Sequence, residues 1–146
     1  MRIGSLRRIS AVALIAATLA ACGQGRPASD DLQEAVALED IKGVITSSAG
    51  CSKDAIELLA STVHLRVSIT DEKLAHSNQM DRENAANTVV TAAERALTAH
   101  PRLSTVQVIS VAIVHAAPKD GSDSPHTEDV LEFRKGPNQR FSHHTT

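Results

Sequence analysis

Seven histidines stand in this chain of 146 residues, and four of them fall late enough to meet: His115, His126, His143 and His144. Imidazole nitrogens suit zinc or copper, and these four would converge if a C-terminal hairpin folded back beside the long loop that carries His126. Adjacent residues of a strand point to opposite faces, so only one of His143 and His144 can join a given site. No helical i, i+4 histidine pair supports a metalloprotease. The metal reading therefore names His126, His143 and His144, and the plainer reading is a solvated strand with incidental histidines.

Cys51, in Ala49-Gly50-Cys51-Ser52-Lys53, is the second candidate. If a helix begins there, its N-terminus and Lys53 would favour the thiolate. A cysteine nucleophile also needs a positioned base, and the nearest, His64, lies on the polar side of a strand pattern. The plainer reading is a buried thiol behaving as a small hydrophobe. Arg134, Lys135 and Arg140 flank a turn and offer a small basic patch for anionic headgroups or an acidic partner, or else are merely solvated. The carboxylates occur as scattered neighbours, such as Asp71 with Glu72 and Glu128 with Asp129, which capping and solubility explain. No Gly-rich phosphate loop, nucleophile elbow or serine-lysine dyad pattern appears, and such spacing does not imply a glycosidase pair. The reading is non-enzymatic, with no catalytic residue and no cofactor.

The elements that would position these residues are read from periodicity. Asp31 with Glu34 makes a capping-box pattern ahead of Leu32, Val36, Leu38 and Ile41, predicting a helix over 31–42 that ends at Gly43. Ser47 to Gly50 reads as a loop, and Ser52 as the cap of a short helix carrying Ile56, Leu59 and Ala60. Val63, Leu65, Val67 and Ile69 alternate with polar residues, predicting a strand with one apolar face. A polar loop over 71–80 follows. Ala86, Val89, Val90, Ala93 and Leu97 then predict a long helix at about 81–99, stopped by Pro101.

Leu103 to His115 is a β-branched run, apolar on both faces in its second half, as in a central strand. A polar loop over 116–127 leads to a closing hairpin around Gly136-Pro137-Asn138, with Leu131, Phe133 and Phe141 inward. The fold expected is α+β: a small two-layer sandwich with an N-terminal helical segment and then a β-α-β-β unit on a mixed sheet. Its crossover helix makes the first two strands parallel.

The start of the chain has a different character. Arg2, Arg7 and Arg8 precede the apolar run Ala11 to Ala21, and no acidic residue occurs among them. That is the layout of a secretory leader. The run is half the roughly 20 residues that a helix needs to span a bilayer. It closes on Leu19-Ala20-Ala21-Cys22-Gly23, which resembles the lipobox of bacterial lipoproteins. The resemblance covers only the leader. It implies cleavage after Ala21, lipid on the Cys22 thiol, and membrane anchoring of a mature chain that begins at Cys22. In Gram-negative members of that class, Asp after the lipidated Cys retains the protein in the inner membrane. Gly23 here implies the outer membrane, facing the periplasm.

With Cys22 consumed by lipid, Cys51 has no intramolecular partner. The expected organisation is a leader over 1–21, a lipid-anchored tether over 22–29 and one domain over 30–146. The leader holds three of the 15 Lys and Arg residues and none of the 17 Asp and Glu, so the rest has a formal charge of −5. That sign disfavours nucleic acid. Two phenylalanines with no Trp or Tyr also weigh against sugar stacking. What remains is an accessory or adaptor lipoprotein of the cell envelope with a protein partner, and second to it a metal or small-ligand binder. The metal reading predicts stoichiometric zinc or copper after dialysis, lost in His143→Ala or His144→Ala; elemental analysis that finds no metal overturns it.

Overall fold

The computed structural model describes residues 28–115 and 128–144. Helix α1 (Ala28–Ala49) leads through a 3-10 turn (Lys53–Ala55) into strand β1 (Ile56–Ala60), followed by β2 (His64–Thr70), α2 (Glu72–Ala75), α3 (Gln79–Thr98), β3 (Val108–Val114), β4 (Glu128–Lys135) and β5 (Phe141–His143). The five strands form one sheet in the order β1-β2-β3-β4-β5. β2 and β3 run parallel, and every other neighbouring pair is antiparallel. This is the α+β fold expected, with α3 as the crossover between the two parallel strands.

Three cross-sheet rows form the floor of the core. Leu65 lies beside Ile109 and Phe133, Val67 beside Val111 and Leu131, and Ile69 beside Ile113. Residues paired across strands share a face, so these side chains all point toward the helices. From above, α1 contributes Ala37, Ile41 and Ile45, and α3 contributes Ala86, Val89, Val90, Ala93 and Leu97. The alanines of α3 hold their neighbours close, and α1 packs directly on α3. Asp30 of α1 pairs with Arg102 at 2.5 Å and Asp40 with His100 at 3.7 Å, both just beyond the end of α3, so the two helices run antiparallel.

Several expectations need correction. α1 is a 22-residue helix that begins at Ala28 and passes through Gly43. Ala28 and Ser29 therefore belong to the helix and not to a tether, and Asp31 is not its cap. A single glycine inside a helix weakens it by only about 1 kcal/mol, and burial of Ile41 and Ile45 on either side outweighs that. The stop comes at Gly50, whose φ of 67° is the left-handed conformation that ends helices at little cost in glycine.

The short helix expected after Ser52 is a strand. Ser52 precedes the 3-10 turn without a side-chain cap bond, and Ile56, Leu58 and Ala60 pair with Ile69, Val67 and Leu65 of β2. The loop over 71–80 contains α2, where the Asp71 carboxylate accepts the N–H groups of Lys73 (2.9 Å) and Leu74 (3.1 Å). Asn78 caps α3 by accepting the Asp81 N–H at 2.9 Å. β3 starts at Val108, because Pro101–Leu103 form a 3-10 turn first. The leader, Cys22, His126 and the loop over 116–127 lie outside the described residues.

Of the three residues expected inward on the hairpin, Phe133 is 1% exposed and fully in the core. Leu131 and Phe141 are half-buried against it. Truncating a buried phenylalanine removes its transfer energy and leaves a cavity. Phe133→Ala should destabilise the protein by about 3–5 kcal/mol, read from urea denaturation; a loss below about 1 kcal/mol would mean that this ring is not a core element.

Candidate functional site

Helices cover one face of the sheet. The opposite face is built from the residues between the core positions: Glu57 and Leu59 of β1, His64, Arg66 and Ser68 of β2, Val108, Ser110 and Ala112 of β3, and Val130, Glu132 and Arg134 of β4. Among the described residues no helix or second sheet packs on this face. Its composition follows from the alternation in β2, where polar residues interleave with Leu65, Val67 and Ile69.

β3, the middle strand, contributes small side chains here. Ser110 is 4% exposed and Ala112 is fully buried although they lie on the uncovered face. Longer side chains from both neighbouring strands close over them. The Nε2 of His64 lies 2.6 Å from the Ser110 Oγ, and Arg66 of β2 crosses above β3 to form an ion pair with Glu128 of β4. Glu132 accepts a bond from Arg134 at 2.8 Å. That bond, then the charge of Arg134, with His144 and His64 adding, holds the Glu132 carboxyl below the usual carboxylate range.

The Ser110–His64 pair was not foreseen in the sequence. Its two members are 46 positions apart, and only the parallel register of β2 on β3 sets them in adjacent rows. The alternation of β2 did place His64 on the polar side, which was the one available signal. A catalytic dyad would need more. Ser110 is buried from substrate, and among the described residues no carboxylate hydrogen-bonds to His64, so the third group that orients a base is missing. The pair fixes side chains on the face.

The residues singled out by type are dispersed. His143 points to the helix side against Phe133, with ring centroids 5.3 Å apart, whereas His144 follows the strand and lies on the other side, near Glu132. His115 follows directly after β3 and meets His76 edge-to-face at 5.6 Å. Among the described residues no three candidate ligands converge.

The basic residues of the turn are engaged within the chain. Arg134 holds Glu132, Arg140 approaches Glu94 at 3.4 Å, and Lys135 lies 5.7 Å from the centre of the Phe141 ring. They make no free patch.

Cys51 is half-buried between α1 and the 3-10 turn and donates weakly to the Ala49 carbonyl at 3.8 Å. It lines a cavity of about 170 Å³ with Ile69, Asp71, Leu74, Ala85 and Val89. Lys53, expected to favour the thiolate, is instead paired with Glu39 at 2.9 Å. Burial and then the negative charge of Asp71 push the Cys51 thiol up. The environment suits a neutral thiol that fills space.

Comparison with protein families, with characterised proteins and with solved structures gave no match. No helix among the described residues is long and apolar enough to cross a membrane.

A raised thiol pKa means less thiolate at any given pH. Alkylation of Cys51 in the folded protein should therefore show its half-maximal rate at a higher pH than a free thiol does. Measuring the iodoacetamide rate from pH 7 to 10, with the unfolded chain as reference, checks this; a folded midpoint below the unfolded one contradicts it.

Proposed function

We propose that this chain is a lipoprotein of the cell envelope, anchored through lipid on Cys22, whose domain acts by contact as an accessory or adaptor subunit. The observation that supports contact over catalysis is the uncovered face of the sheet. It carries His64, Arg66, Glu128, Glu132 and Arg134 along its length, held by the Ser110 hydrogen bond and two ion pairs. Exposed ion pairs of this kind add little stability, typically up to about 1 kcal/mol each. Preorganised charges of both signs favour recognition of a protein partner that presents a complementary pattern.

The anchor and the face make a consistent whole. Several acyl chains, each contributing about 0.8 kcal/mol per buried methylene, hold the protein at the membrane. The partner is then met in two dimensions at raised local concentration. The mature chain's negative charge and its lack of sugar-stacking aromatics fit a protein partner better than nucleic acid or glycan.

The test is chemical crosslinking of the full chain in native membranes, followed by mass spectrometry of what it captures. Two variants accompany it: Cys22→Ser, which removes the anchor, and Arg66→Glu with Arg134→Glu, which reverses two charges on the face. One envelope protein should be captured reproducibly and lost or reduced at least tenfold in both variants. Capture that survives the double charge reversal would place the contact elsewhere and overturn this reading.

A further inference from the structure

The two edges of the sheet are unequally protected. β5 is three residues long, too short to template another strand well. β1 (Ile56–Ala60) has no proline and one charged side chain, Glu57, and none of the described strands lies beyond it. Leu59 is 58% exposed. Natural sheets usually blunt such an edge with lysine, proline or a bulge, so an edge left in this form is suited to pairing.

The hydrogen-bond phase of β1 is fixed by its turn into β2. Ser61 donates its N–H to the His64 carbonyl at 2.8 Å, which makes Ser61 and His64 a hydrogen-bonded pair. In an antiparallel ladder such pairs recur every second residue, so Leu59 with Arg66 and Glu57 with Ser68 bond inward. Ile56, Leu58 and Ala60 therefore turn their backbone groups toward the free edge. One of these groups is already satisfied, because the Ile56 N–H donates to the Lys53 carbonyl.

We propose that β1 pairs with β1 of a second copy of this chain, antiparallel about a two-fold axis at Leu58. The two five-stranded sheets then become one continuous sheet. In this register Leu58 of each copy donates to and accepts from Leu58 of the other. Each Ala60 N–H meets the other copy's Ile56 carbonyl, so the Ile56 N–H that is already engaged is not needed. Four inter-chain backbone hydrogen bonds result, and every remaining outward donor of the strand is used.

Side chains agree with the register. On the helix side Leu58 meets Leu58, and Ile56 lies opposite Ala60. On the open side each Glu57 falls opposite Leu59 of the other copy, so the two carboxylates never face each other. That Leu59 is the row neighbour of Arg66, which places each Glu57 in one row with the other copy's Arg66, about 10 Å away at about 4.8 Å per strand. Moving the axis to Glu57 would oppose the two carboxylates at a residue whose backbone groups already bond inward. The symmetry is isologous and closed, so pairing stops at two. A two-fold axis normal to the sheet leaves both open faces on the same side, giving a surface for two partner copies. The pairing itself does not depend on that partner.

Disulfide trapping tests it in the full chain with Cys51→Ser. Two differently tagged versions, one with Glu57→Cys and one with Leu59→Cys, are produced in the same membranes. Positions 57 and 59 form a non-hydrogen-bonded pair across the axis, where Cβ atoms come close enough for a disulfide. Mild oxidation should give a mixed-tag dimer at least tenfold above either version alone.

Leu58→Pro, whose missing N–H points away from β2, should leave the ladder to β2 intact and abolish that dimer. Leu59→Glu, at an exposed position, sets a carboxylate opposite Glu57. It should lower the light-scattering mass of the detergent-solubilised chain from two copies to one. Absence of the mixed dimer, or a two-copy mass unchanged by Leu59→Glu, overturns the proposal.

Discussion

Parallel pairing of β2 with β3 is the interaction on which the remaining structure depends. It sets Leu65, Val67 and Ile69 beside Ile109, Val111 and Ile113, six side chains fully buried on one face. At about 1.5–3 kcal/mol for each fully buried aliphatic side chain, these rows are a large part of what stabilises the fold. Because the strands are parallel, the connection between them must cross over the sheet, and α3 is that connection. A one-residue slip in this register would turn the three apolar residues of the slipped strand to the uncovered side, so the register is strongly specified.

The same pairing makes the uncovered face. Each residue between two core positions points the other way, so the register that aligns the aliphatic rows also aligns His64, Arg66, Ser110 and Glu132. The small residues Ser110 and Ala112 of the middle strand leave room for the long side chains of β2 and β4 to close over them. β3 is thereby buried on both sides of a sheet that, among the described residues, has helices on one. This explains why its sequence resembles that of a strand in a three-layer protein while the fold has two layers.

The polar groups near the core are met by partners within the chain. Among the described residues no buried side-chain nitrogen or oxygen lacks a partner, which is the condition for keeping Ser110 at the centre of the sheet. Cys51 fills a gap between α1, α2 and α3 as a neutral thiol. With two phenylalanines in the whole chain, packing relies on aliphatic and alanine contacts, and the alanine face of α3 is what lets α1 lie close beside it.

The sequence by itself determined β2, α3, β3 and the hairpin of β4 and β5, because each has a strong period and a partner near in the chain or a clear stop. It also placed Phe133 in the core and set His143 and His144 on opposite sides. It did not determine β1: Ile56, Leu59 and Ala60 fit helical spacing while Ile56, Leu58 and Ala60 fit strand spacing, and only the neighbouring β2 selects the strand. The turn at Thr62-Val63 lacks the Asn-Gly or Asp-Gly signal that would have marked a hairpin.

Nor was the full length of α1 legible, since Gly43 reads as a stop until Ile41 and Ile45 are seen buried on either side of it. The Ser110–His64 contact, the Arg66–Glu128 bridge over β3 and the neutral setting of Cys51 were decided by tertiary structure. Each joins residues far apart in the chain through a sheet register or a packing gap, and no local pattern encodes such a distance.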